Sequence, residues 1–320
     1  MGELEDLLGD ILNRALSGKD QDKDTDFFFD DEPLEDILYG SRQGGPTTAN
    51  LYGPGRKFMQ EVISACNQGR RDDVIAAAGR LGDEDIMISA EMCSTLAGVI
   101  GSFFPYYPNP VMSCNLGPLK KLFERLWSIA LSGREAALQR KTGSLLFRWY
   151  EHHGLYAEAR QVLSRLIDIC RERHDRGDEA IYLNNLGFEY LLERRWEEAI
   201  PYFEEAGRIF REAGITFEEI NALANYWTCR FELGDLGDRD GVESEVEKIR
   251  DYFDGTRRWY ERKPLILLAK IEEQRGNMEK AIELVDKAIE SAKDSNTRYP
   301  EIDGEYLDIL RKIQSNQGIK

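Results

Sequence analysis

The chain has 320 residues, of which 42% are hydrophobic and 32% charged, and its formal net charge is −17. That is enough apolar material for a real core, and the length exceeds one usual core, so two domains or one extended array is expected. The negative balance argues against nucleic acid or an anionic membrane as the main partner, since neither rewards a negative surface.

Residues 1–50 carry 13 acids against 4 bases and read as a disordered acidic arm. The start, Met1-Gly2-Glu3-Leu4-Glu5-Asp6, is acidic where a signal peptide would be basic, and Asp6 stands where myristoylation wants Ser or Thr. A cytoplasmic protein is expected. Two apolar islands break the arm: Leu4-Glu5-Asp6-Leu7-Leu8 is echoed by Leu34-Glu35-Asp36-Ile37-Leu38. Between them, Phe27, Phe28 and Phe29 precede more acids. Unused exposed aromatics invite aggregation, so Phe27, Phe28, Phe29, Leu34, Ile37 and Leu38 form a candidate linear motif. Asp20, Asp22, Asp24 and Asp31 imitate alternate ligands of a calcium loop. Thr25, however, replaces the Gly of the sharp turn and Asp31 the bidentate Glu, so no metal is expected. Gly40 to Gly55 reads as a linker.

Residues 51–133 form a second region, helical but irregular. Phe58, Val62, Ile63 and Ala65 suggest one helix, and Val74, Ala78 and Leu81 its antiparallel mate after Gln68-Gly69-Arg70. Three prolines, Pro105, Pro108 and Pro110, make 101–118 a loop, and Leu119 to Leu131 resumes helical spacing. The apolar run from Leu96 to Tyr107 is too short to span a bilayer.

From about residue 134 to 320 the pattern becomes regular. Small and large residues alternate at fixed offsets: Ala159, Leu163, Leu166; Ala199, Phe203, Ala206; Val242, Val246, Ile249; Ala281, Val285, Ala288. These sets are offset by 40, 43 and 39 residues. Each is preceded by another apolar helix, as in Leu183-x-x-Leu186-Gly187-x-x-Tyr190, Leu223-Ala224 with Trp227, and Leu268-Ala269. Tyr306, Ile309, Leu310 and Ile313 supply a last helix to cap the end. A helix pair of this kind cannot bury its own apolar face, so pairs must stack. The turn at Gly234-Asp235-Leu236-Gly237-Asp238 is longer, which leaves the register of 220–253 open.

This spacing resembles the tetratricopeptide repeat family over roughly 140–313, with Leu183 where the family prefers Trp and Arg211 where it prefers Pro. The resemblance implies an all-α, right-handed helical solenoid whose first helices line a groove. Helical spacing then offers Lys141, Ser144 and Arg148; Ile181, Asn184, Phe188 and Leu191; Asn221 and Asn225; and Lys263, Ile266 and Lys270 as groove positions. Of these, Lys141, Arg148, Asn184, Phe188, Asn221, Asn225, Lys263 and Lys270 are the candidate peptide-binding residues. Asparagine amides can both donate to and accept from an extended backbone, and cations favour a carboxylate. The family's carboxylate clamp needs Lys, Asn and Arg across three consecutive units. Asn184, Asn185 and Lys263 fall near such places, but the irregular middle unit interrupts the set.

An enzyme is disfavoured. The three histidines, His152, His153 and His174, lack metal spacing, and no Cys-x-x-Cys or phosphate-cradling glycine loop is present. The five cysteines are scattered and read as reduced thiols. Glu197, Glu198, Glu204 and Glu205 read as solvated acids, and Trp149, Tyr150, Trp196, Trp227 and Trp259 as packing. The expected function is an adaptor, scaffold or assembly factor that binds a peptide segment without a cofactor. Its own acidic arm is one candidate occupant, and self-association is an open alternative. A peptide-responsive regulator that changes curvature is the second reading. An enzyme centred on 103–118 is the third.

Overall fold

The structure is a computed structural model that describes residues 53–83, 88–103, 117–133, 135–234, 239–253, 258–293 and 299–317. The acidic arm, with Phe27, Phe28, Phe29, Leu34, Ile37, Leu38 and the calcium-like acids, lies outside these residues, as does most of the 103–118 loop. The described residues contain thirteen helices and no strand. They fall into two compact units that part between Ile169 and Cys170.

In the first unit the helices are α1 (Gly53–Asn67), α2 (Arg71–Asp83), α3 (Ala90–Phe103), α4 (Leu119–Ser132), α5 (Ala136–His152) and most of α6 (Tyr156–Arg173). Val62, Ile63 and Ala65 of α1 and Val74, Ala77 and Ala78 of α2 are buried across the hairpin, whose turn holds Gly69 at φ +66°. The stretch read as a linker overlaps the first helix by three residues, 53–55. Helix α1 begins at Gly53, because Pro54 sits in the first turn, where a missing N–H breaks no helical bond. Helix α5 approaches its neighbours closely at Gly143. A Cβ there would stand 2.8 Å from Trp127 of α4 and 2.9 Å from Leu166 of α6.

In the second unit follow α7 (Arg176–Leu192), α8 (Trp196–Ala213), α9 (Thr216–Glu232), α10 (Arg239–Phe253), α11 (Arg258–Arg275), α12 (Met278–Ala292) and α13 (Tyr299–Gln317). Helix α7 packs on α8, α8 on α9, α11 on α12 and α12 on α13. Helix α9 meets both α7 and α11, so first helices of successive pairs are neighbours. The small-and-large sets fill the interior as spacing requires: Ala199, Phe203, Ala206, Val242, Val246, Ile249, Ala281, Val285 and Ala288 are all buried. Gly187 is bare because the Phe203 ring lies there; an added Cβ would stand 2.9 Å from it.

The turns explain the forty-residue period. Left-handed residues stand at Gly154, His174, Arg194, Gly214 and Gly234, every twenty residues. Each closes a helix of 17 or 18 residues, α5 through α9. After four of them the next N–H reaches back five residues to close the helix end, as Leu155 does to Tyr150, Asp175 to Cys170, Arg195 to Tyr190 and Ile215 to Phe210. Two such helices with their turns make forty residues, against the family's minimal 34.

Two junctions carry the same ion pair. Arg171 Nε donates to Glu179 at 2.7 Å and Arg211 Nε to Glu219 at 2.6 Å, forty residues apart. Each Arg lies in a last helical turn and each Glu in the next first turn, where the helix dipoles favour both charges. The two carboxylates are almost wholly buried.

Candidate functional site

Four of the candidate residues, one each from α7 and α11 and two from α9, meet in the second unit. Lys263 Nζ of α11 donates to Asn221 Oδ1 at 3.0 Å and to Asn225 Oδ1 at 2.9 Å, both on α9. Asn225 Nδ2 in turn donates to Asn184 Oδ1 of α7 at 3.2 Å. Lys263 also lies 5.6 Å from the centroid of the Phe188 ring. The three asparagines are buried, while Lys263 and Phe188 remain partly exposed.

The chemistry of the cation fixes how the amides point. An ammonium only donates, so the oxygens of Asn221 and Asn225 must face it. That turns the nitrogen of Asn225 toward Asn184, whose oxygen receives it. The nitrogens of Asn184 and Asn221 are left to face outward, and they donate to nothing among the described residues. Two amide donors and one cation therefore border an aromatic ring on adjacent first helices.

Burial pushes the Lys263 ammonium down to about 8, helped by neighbouring Arg262 and opposed by Glu218. Arg262 is itself held by a two-pronged pair with buried Asp303 of α13, both bonds 2.6 Å. Sequence spacing did not reveal this tuning, because which charges bear on Lys263 depends on how α9 and α11 stack.

The remaining candidates have surroundings of their own. Lys270 of α11 pairs with Glu232 of α9 and lies 5.9 Å from the Phe231 ring. Lys141 and Arg148 belong to α5 in the first unit. Lys141 Nζ lies over bare Gly98, and Arg148 is 5.8 Å from the Phe147 ring. Of the acids read as solvated, Glu197, Glu198 and Glu204 are exposed and Glu205 partly so, and Trp149, Tyr150 and Trp227 are buried.

Cys93, Cys170 and Cys229 are buried free thiols, and burial pushes Cys93 and Cys229 up to about 12. Among the described residues no cluster of His, Cys, Asp or Glu could hold a metal. None of the described helices is long and apolar enough to cross a membrane.

Residues 148–212 match the family model described as tetratricopeptide repeat. Among solved structures the chain is similar to a Signal Transduction ATPase with Numerous Domains that has a tetratricopeptide repeat sensor, from Pyrococcus horikoshii. That alignment is 16% identical at a TM-score of 0.56 and covers 80% of this chain, which spans only 38% of the ATPase. It is also similar to BtubC from P. vanneervenii (17% identical, 79% of this chain, 93% of that one, TM-score 0.48) and to apo RapI (10%, 82%, 72%, 0.48). No curated protein matches it by sequence. The family match marks residues 148–212 as a stretch of tetratricopeptide repeats, and the helix pairs that continue around it share the fold of the sensor-bearing ATPase.

Proposed function

We propose that the chain is a protein-interaction module that receives an extended peptide segment along α7, α9 and α11, with no bond chemistry. The supporting observation is the Asn184–Asn225–Lys263–Asn221 ladder beside Phe188. Its inward bonds hold each side chain in place, so little rotamer freedom is lost on binding. The outward nitrogens of Asn184 and Asn221 donate to ligand carbonyls, the third N–H of Lys263 favours a carboxylate, and Phe188 offers an apolar edge.

An acidic ligand with aromatic anchors suits this face, and the chain's own residues 26–39 have that composition. The reading is tested by calorimetric titration of a synthetic 26–39 peptide into a chain lacking residues 1–50. Saturable binding is expected, weakened at least about tenfold by Asn221→Ala or Lys263→Ala and unchanged by Lys287→Ala, since a lost charged hydrogen bond costs about 1.5–3 kcal/mol. If that peptide does not bind, a peptide array probed with the full chain decides. Loss of every array signal, or binding indifferent to both substitutions, would retire the proposal.

A further inference from the structure

The surroundings of Lys263 differ from those of most lysines in the second unit. Lys248, Lys270, Lys280, Lys287 and Lys293 each pair with a carboxylate. Among the described residues none pairs with Lys263; its nitrogen faces the neutral oxygens of Asn221 and Asn225. An ammonium has three N–H groups, a neutral amine only two. Two acceptors therefore satisfy the neutral amine completely and point its lone pair away from both, into the remaining tetrahedral direction. The side chain stays partly exposed. The charged groups that bear on it are Arg262, which disfavours the cation, and Glu218, which favours it; desolvation exceeds both. At pH 7.5 an amine titrating near 8 is about one quarter neutral, against about 0.1% for an ordinary lysine.

We infer that Lys263 is an acyl-acceptor site, a nucleophilic amine that takes an acyl group from an activated donor such as a thioester or acyl phosphate. The nitrogen lone pair attacks the donor carbonyl carbon. The carbon–sulfur or carbon–oxygen bond then breaks, thiolate or phosphate leaves with the electron pair, and the nitrogen's surplus proton passes to solvent. Nothing is oxidised or reduced. The resulting amide has no charge and a single N–H, so only one of the two buried asparagine oxygens keeps its donor. Acylation would thus disconnect the ladder and remove the face's cation, a switch on binding. That consequence rests on the proposed peptide-binding reading; the reactivity itself does not.

The test treats the full chain with acetyl phosphate and, separately, with N-acetoxysuccinimide, and reads acetylation of each lysine by mass spectrometry across pH. At about pH 7.5 Lys263 is expected to react about tenfold faster than Lys287 and Lys293, part of the gain in neutral amine being offset by its lower basicity. Its rate should level off above about pH 8 while theirs keeps climbing. Asn225→Asp keeps the acceptor but adds a negative charge. It should return Lys263 to the rate of the exposed lysines with helix content by circular dichroism unchanged. A native Lys263 that reacts no faster than Lys287, or an Asn225→Asp variant that reacts as fast as the native chain, overturns the inference. No peptide enters this experiment, so a failed peptide titration and a failed acylation remain separate results.

Discussion

Two glycines and two glutamates show how much depends on single side chains here. At Gly187 a methyl group would meet the Phe203 ring at 2.9 Å, and that ring is 1% exposed with no room to turn. Gly187→Ala is expected to lower stability by about 1–3 kcal/mol in urea unfolding, the usual cost of overpacking. Gly207, in α8, faces nothing within 4 Å. Gly207→Ala should therefore do the opposite and stabilise by about 0.5–1 kcal/mol, through lower chain entropy in the unfolded state. The contrast isolates close approach from helix propensity. The Arg211–Glu219 pair sets a second test. Glu219 is 2% exposed while Arg211 is 25% exposed. Arg211→Ala removes a cation from a buried carboxylate, and the expected loss is about 2–3 kcal/mol, less than for a fully buried pair because water still reaches the arginine side. The sequence marked Glu197, Glu198, Glu204 and Glu205 as solvated and offered no reading of Glu219. Nothing along the chain distinguishes Glu219 from exposed Glu212, because burial is decided by which helix lies across the turn.

At the scale of the element, the recurring device is the left-handed turn. His174 at φ +58° and Arg194 at φ +59° occupy the conformation that Gly154, Gly214 and Gly234 take at the same spacing. An L-residue with a Cβ pays about 1–2 kcal/mol for that backbone. His174→Gly and Arg194→Gly are therefore expected to raise the melting temperature, each by the equivalent of about 1 kcal/mol less the extra entropy of an unfolded glycine. No gain in either variant would show that the turns are held by their hydrogen bonds alone. The turn at Gly234 was legible in the sequence, because glycine is a breaker. Those at His174 and Arg194 were not, since neither residue signals a stop. The helix ends there because Asp175 and Arg195 close back onto Cys170 and Tyr190, and Asp175 then accepts from the Asp178 N–H to start the next helix.

For the molecule as a whole, acid and base act through a few half-buried groups. Burial lifts Glu151 from 4.5 to about 7, against the pull of Arg148. The folded chain then holds this proton more tightly than the unfolded one. The stability it lends is full below about pH 4.5 and is lost as pH rises through about 7. Glu151→Gln stays neutral, so it should melt higher than the native chain at about pH 8 by about 1–2 kcal/mol, discounted for partial exposure, and alike at about pH 4. His152 runs the other way: burial first, then His153, lowers it, so its contribution weakens on acidification below about 6.5. Comparing the variant with the native chain at each pH cancels that term.

The periodic part of the chain could be read directly because the helix pair imposes it. Ala199, Phe203 and Ala206, or Ala281, Val285 and Ala288, sit where a 3.6-residue period puts one face, and the same local rule that spaces them also folds them. The all-α class and the repeat followed from this. Only the tertiary structure decided which polar residues of the first helices meet. Asn184, Asn225 and Lys263 are about forty residues apart, and their bonds depend on how neighbouring pairs stack. Lys270 shares the α11 stripe with Lys263, yet it spends its charge on Glu232. Side-chain period is local and is written in the sequence. Charge neutralisation across helices is set by distance in space, which the sequence does not specify one residue at a time.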